Sequence, residues 1–245
     1  MTENMTKAEL RREIRQKLKS LSLETIAEKS RKICTRFESE PTLHDIFDKS
    51  ENIAFFMPMA TEVDVTPLIL HAMSSGKNCY LPRVDTDENA SQTMIFFKLD
   101  NSVPLERQLE KGSYGIREPL TTLPRLPDLQ QSDDVIFFGD LKDFVVIVPG
   151  LAFGRKYDNK EKYDSVGELG FSRIGKGKGY YDRFFEKYDN WLLTDTENMI
   201  LHKNMTSKTM TKIAVCFECQ LFDAVPHENY DKKVDIIVTE NAMLL

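Results

Sequence analysis

Phe144-Val145-Val146-Ile147-Val148 (FVVIV), stopped by Pro149-Gly150, is the stretch from which the fold is read. Four of its five residues are β-branched and none is polar, so it predicts a strand without a solvent face. Strands covered on both sides belong to parallel sheets flanked by helices. Upstream, Ile53 to Phe56, Asn78 to Leu81 and Met94 to Leu99 read as further strands; downstream, Ile213 to Phe217 and Val234 to Val238 do. Helices fall between or before them. Residues 6–19 place Leu10, Ile14 and Leu18 four apart, Ser22 opens a second helix running to about Phe37, and Val65 to Ser74 forms a third, ended by Gly76. Residues 101–132, with Pro104, Pro119, Pro124 and Pro127, read mostly as loop. This alternation predicts an α/β fold with a mostly parallel sheet, N-terminal helices over about 6–40, and ligands at the C-terminal ends of the strands. One domain over 1–245 is expected, with polar insertions at about 155–171 and 189–211.

Beyond FVVIV lies Gly170 to Phe184, GFSRIGKGKGYYDRF. Glycine occurs 11 times in 245 residues, so the alternation of Gly175, Gly177 and Gly179 is a local concentration. Such spacing lets the backbone turn tightly and present its N–H groups, and Arg173, Lys176 and Lys178 add positive charge. The segment is read as a polyanion site, for a nucleotide triphosphate. It leads into a helix over Gly179 to Lys187, whose N-terminal dipole favours anions. Asp182 stands where a carboxylate can hold magnesium against phosphates. Two common designs are excluded. Gly170 to Lys176 matches GxxxxGK, but Gly177 replaces the Ser or Thr that binds the metal, and the third glycine comes one residue early for GxGxxG.

Composition narrows the function classes. A net charge of −6 argues against general nucleic-acid binding. Cys216 and Cys219 form one CxxC without a second; they read as a strand-borne pair on opposite faces, reduced, rather than a metal or redox site. No apolar run approaches a membrane span and the N-terminus carries no apolar leader core, so a cytoplasmic location is expected, with a mitochondrial one left open. The Asn-x-Ser/Thr patterns at Asn4, Asn89 and Asn204 read as chance matches, and none of the four histidines receives a role.

Several blocks in order resemble the 5-formyltetrahydrofolate cyclo-ligase (methenyltetrahydrofolate synthetase) family, from about Lys7 to Glu240. They are Lys7-x-x-x-Arg11; Met59-x-x-Glu62-Val63-Asp64; Leu81-Pro82-Arg83; Tyr114 to Pro119; Val148 to Phe153; Arg173 to Asp182; and Asp231-x-x-Val234-Asp235. The resemblance implies a single-domain, three-layer Rossmann-like fold. It implies ATP- and magnesium-dependent closure of 5-formyltetrahydrofolate to 5,10-methenyltetrahydrofolate, with ATP and the folate as small-molecule partners and a monomeric chain. By resemblance Lys7, Arg11, Arg173, Gly175, Lys176, Gly177, Lys178, Gly179, Tyr180 and Asp182 serve ATP. Asp182 and Asp231 hold magnesium. Met59, Glu62, Tyr114 and Tyr181 line the folate pocket, and Arg173, Lys178 and Tyr181 act at the reacting centre.

Each assignment has a structural rival: a solvated helix face for Lys7 and Arg11, core for Met59 and Tyr114, a helix cap for Glu62, a surface turn for Asp231. The chain also departs from the family. Gly154 stands where relatives commonly carry Asp, and Asp158 or Asp164, in the insertion that follows, are candidates to replace it. Two other classes stay open: a different ATP-dependent enzyme activating an amide or carboxylate, and a non-catalytic folate- or nucleotide-binding protein.

Overall fold

The computed structural model describes residues 5–84, 94–112, 115–126, 144–157, 170–199 and 210–245. Its elements are α1 (Lys7–Lys19), α2 (Leu23–Ser39), α3 (Pro41–Lys49), β1 (Asn52–Ala54), α4 (Thr66–Ser74), β2 (Asn78–Val84), β3 (Met94–Lys98), β4 (Leu109–Lys111), β5 (Arg117–Pro119), β6 (Phe144–Val148), β7 (Ala152–Tyr157), β8 (Phe171–Ile174), α5 (Tyr180–Met199), β9 (Met210–Val215), β10 (Leu221–Phe222), β11 (Ile236–Val238) and β12 (Met243–Leu244). Among the described residues seven strands form the main sheet, in the order β12-β11-β9-β6-β1-β2-β3. The FVVIV strand, β6, is central: it pairs in parallel with β1 (Val145 opposite Ile53) and with β9 (Ile147 opposite Ile213). The pairs β1–β2 and β9–β11 are also parallel, and only the edge strands β3 and β12 run antiparallel.

The pleat of β6 explains the layers. Val145 and Ile147 join the core that holds Leu10, Ile14 and Leu18 of α1 together with residues of α2, α3 and α4. Phe144, Val146 and Val148 point the other way, into the core with Phe184, Phe185 and Tyr188 of α5. Successive strand residues face opposite sides, so an unbroken apolar run is what two helical layers require. Burial of each such side chain contributes about 1.5–3 kcal/mol.

Several boundaries differ from the reading above. The helix α3 was not read from the sequence; Pro41 sits at its start, where a missing N–H costs nothing, and Leu43 and Phe47 bury its inner face. The strand β2 continues through Pro82 because Tyr80 is the last residue it pairs with β1, so the proline lacks no bond on that side. Residues 101–132 are not all loop: they contain a 3-10 turn at Leu105–Gln108 and the β4–β5 pair. The helix at Tyr180 runs to Met199, through half of the stretch read as a patternless insertion, and β9 begins at Met210. Both ends of the other insertion are strand, since Tyr157 pairs with Phe171; residues 158–169, with Asp158 and Asp164, lie outside the described residues.

Candidate active site

Taken in chain order, the parallel strands lie as 2-1-3-4-5, and the order reverses between β1 and β6. A crevice opens outside the carboxyl ends of the strands at such a point. A cleft of about 410 Å³ lies there, lined by Phe56, Met57, Met59 and Glu62 after β1 and by Pro149 and Gly150 after β6. Pro82 and Val84 of β2, Met94 of β3, Ile116 and Glu118 extend its wall, and Arg15 of α1 and the glycine segment close the other side. One wall is thus apolar and the other cationic. Gly150 is sterically required, because a Cβ there would lie 2.4 Å from the Phe153 ring.

The glycine segment forms the turn between β8 and α5. Gly177 (φ 106°) and Gly179 (φ 65°) take positive φ, which glycine adopts at little cost. From α1, Arg11 Nε donates to Gly175 O at 2.9 Å and Arg15 Nη2 donates to Lys176 O at 3.1 Å. Arg183 Nη1 donates to Lys178 O at 2.8 Å from inside the helix. The Lys176 ammonium crosses the cleft to Glu62 Oε1 at 2.5 Å and touches the Met59 sulfur. Glu62 also accepts the Met59 N–H at 2.9 Å, which fixes its carboxylate in the cleft rather than on the α4 terminus. The Lys178 ammonium makes no ion pair among the described residues and is exposed.

Arg173 leaves β8 beneath the loop with 3% of its side chain exposed. Its Nη2 donates to Asp182 Oδ1 at 3.0 Å, and that oxygen also accepts the Lys232 N–H at 3.1 Å. The guanidinium lies 5.5 Å from the Tyr181 ring centroid, within cation–π range. Two buried donors of cleft-lining residues lack a hydrogen-bond partner among the described residues: Arg173 Nε–H and the Tyr181 hydroxyl. Burial pushes the Tyr181 phenol well above its usual range, more than the Arg173 charge lowers it. It therefore stays a neutral donor. Unpaired donors beside a cleft are available to a ligand's oxygen atoms.

The structure separates some residues that the sequence grouped. Lys7 does not line the cleft; its ammonium pairs with Asp231 at 2.5 Å and Glu228 at 2.6 Å, over the Tyr230 ring. Burial opposes its charge, but the hydrogen bonds and charges of Asp231 and Glu228 outweigh that and raise the Lys7 pKa. Asp231 faces this lysine and does not line the cleft, while the next residue, Lys232, donates its N–H to Asp182. Tyr114 lies outside the described residues, while Ile116 reaches the cleft. Two charged lining residues escaped the sequence reading. Arg15 had a signal, being one helical turn beyond Arg11; Glu118, nearly buried beside Arg83, stood within a quoted block without a role.

Among the described residues no three His, Cys, Asp or Glu side chains converge on a metal position. Magnesium on a polyphosphate needs only one or two carboxylates, the rest of its shell being phosphate oxygens and water. Asp182, in the cleft wall with 21% of its side chain exposed, fits that requirement.

The CxxC reading is corrected in its local structure. Cys216 follows the end of β9 and Cys219 sits on a 3-10 turn, so they are not two faces of one strand. All four thiols are free. Burial pushes Cys34 and Cys79 up to about 12 and Cys216 well above its ordinary value. Burial raises the half-buried Cys219 as well, so at pH 8 a thiol reagent is expected to label the folded chain first and slowly at Cys219 alone, and all four thiols rapidly after unfolding. Rapid labelling of two or more native thiols would contradict this burial.

The model of the "5-formyltetrahydrofolate cyclo-ligase family" matches residues 3–157 and 164–240. The mouse 5-formyltetrahydrofolate cyclo-ligase is 25% identical over 242 residues, covering 99% of this chain and 97% of the relative. That of Saccharomyces cerevisiae is 27% identical over 244 residues, covering 95% and 94%. The solved structure of Aquifex aeolicus 5,10-methenyltetrahydrofolate synthetase superposes with a TM-score of 0.64 at 26% identity, covering 98% of this chain and 92% of that one. A Mycoplasma pneumoniae 5,10-methenyltetrahydrofolate synthetase shares the fold, with a TM-score of 0.59 at 17% identity and coverage of 96% and 99%. With the match running through both the β1 wall and the glycine turn, this chain belongs to the 5-formyltetrahydrofolate cyclo-ligase family.

Proposed function

We propose that this chain converts 5-formyltetrahydrofolate to 5,10-methenyltetrahydrofolate, consuming ATP and releasing ADP and phosphate. The observation that carries the reading is the two-sided cleft: a cationic glycine turn faces an apolar wall bearing Glu62 across about 410 Å³. A space of that size suits a small ligand, and its two walls suit two different ones.

An N-formyl group is an amide and a poor electrophile. Transfer of the γ-phosphoryl group from ATP to the formyl oxygen makes that oxygen a leaving group. The N10 amine attacks the formyl carbon and loses its proton, the C–O bond breaks, and phosphate departs as the ring closes. The chain's task is positioning and charge neutralisation. The loop amides, Arg11, Lys176 and Lys178 hold the polyphosphate. Arg173 Nε–H and the neutral Tyr181 hydroxyl donate to oxygens at the junction. Met59 packs on the pterin ring, and Glu62 accepts N–H bonds from its aminopyrimidine edge. Asp182 holds magnesium, which when bound offsets charge on the phosphate oxygens. Lys7 and Asp231 pair with each other; Lys7 is assigned to the phosphates, and Asp231 would join Asp182 in holding magnesium.

Lys178→Ala is expected to weaken ATP and lower turnover about tenfold or more, the loss of one charge-assisted phosphate contact. Its ammonium supports no packing, so the melting temperature should hold. Unchanged kinetics in this variant would remove Lys178 from the site. The whole reading is tested by phosphate release: steady release with 5-formyltetrahydrofolate and none with other amides or carboxylates is expected. Release with another acceptor alone would favour a different ATP-dependent enzyme, and tight binding without release a buffering protein.

A further inference from the structure

Two successive carbonyls of the glycine turn face α1, which caps both, while the Lys178 carbonyl is taken by Arg183 of α5. Arg11 takes Gly175 O and Arg15 takes Lys176 O. The two arginines stand one helical turn apart, on a face free of the buried Leu10, Ile14 and Leu18. In a trans peptide the carbonyl and the following N–H point in opposite directions, and no described peptide is cis. The two caps therefore turn the N–H groups of Lys176 and Gly177 away from α1. Among the described residues, neither these amides nor that of Lys178 donates a hydrogen bond. Successive unpaired N–H groups aimed one way form an anion-binding concavity. Gly177, at φ 106°, offers little resistance to a peptide flip, so the carbonyl cap is what holds the second amide in place. Arg15 makes no ion pair among the described residues, and the Lys176 carbonyl is its described partner.

We propose that Arg15 is a positioning residue for a polyphosphate: through Lys176 O it orients the Gly177 N–H that receives a phosphate oxygen. The inference rests on reading the glycine turn as the phosphate site. It is tested with Arg15→Met, which keeps the stem without a donor, and Arg15→Lys, which restores one. The probes are inorganic triphosphate and 5-formyltetrahydrofolate, titrated calorimetrically into the full chain with magnesium present. Arg15→Met is expected to weaken triphosphate about tenfold and the folate less than about twofold, with Arg15→Lys recovering most of the loss. In ligand-free Arg15→Met the backbone amide resonances of Lys176 and Gly177 should shift, which a residue that only touches bound phosphate would not cause. Wild-type affinity for triphosphate in Arg15→Met, or unshifted amides, overturns the proposal. Equal loss of both ligands with a lowered melting temperature also overturns it, in favour of a purely structural role. Failure of the wild-type chain to bind triphosphate would instead sink the phosphate-site reading, and Arg15's role with it.

Discussion

Asp182→Asn is expected to cut turnover at least about a hundredfold while folate binding stays near normal, the scale seen when one electrostatic contact to a reacting centre is lost. Asp182 lies in the first turn of α5, in the wall of the cleft. Its Oδ1 accepts from Arg173 Nη2 and the Lys232 N–H. Asparagine retains that oxygen, so the link between β8, α5 and the loop before β11 survives, but the buried Arg173 loses its counter-charge and the melting temperature should fall. The negative charge is lost, and hard divalent cations depend on it. A rival account makes Asp182 only a counter-charge for the helix N-terminus, worth about 0.3–1 kcal/mol. That account predicts a slightly lower melting temperature and near-normal kinetics. Turnover measured across a magnesium titration separates them: activity close to wild type at ordinary magnesium would remove Asp182 as the metal ligand.

Glu62→Gln is expected to weaken 5-formyltetrahydrofolate about ten- to a hundredfold, the range for a charge-assisted hydrogen bond at a buried carboxylate. ATP affinity should hold or rise slightly. Glu62 exposes 10% of its side chain and pairs with Lys176, whose ammonium reaches across the cleft. Glutamine can still accept the Met59 N–H, so the turn after β1 should persist, but it presents a donor where the pterin edge needs an acceptor. It also releases the Lys176 ammonium toward the phosphates. Titration calorimetry with each ligand decides the matter. Equal weakening of both would assign Glu62 to the fold.

The fold was legible where one residue type served one purpose. FVVIV announced a doubly covered strand because both pleat faces of β6 meet helices. The end of β2 was hidden because Pro82 ordinarily stops a central strand, and the shortness of β1 is a tertiary fact. The helix α3 was missed although Leu43, Ile46 and Phe47 stand three and four apart, because it is only the short Pro41–Lys49 directly behind α2, and the length of α5 was missed because its second half is mostly polar.

The site divides in the same way. Gly175, Gly177 and Gly179 with their lysines are a local signal, and the turn is local. The contacts that give the cleft its two walls are not. Lys176 to Glu62 and Arg15 to Lys176 O join segments far apart in the chain, and several neighbouring basic residues on α1 made Arg15 indistinct until the helix was laid along the loop. The two orphaned donors, Arg173 Nε–H and the Tyr181 hydroxyl, depend on burial, which sequence does not report.

Following the absorbance of the methenyl product after mixing the purified chain with ATP, magnesium and 5-formyltetrahydrofolate tests the cyclo-ligase assignment most directly. The predicted result is a steady rise that requires both substrates and is matched mole for mole by ADP. No rise under conditions where calorimetry shows both ligands bound, or a rise that proceeds equally without ATP, would contradict it.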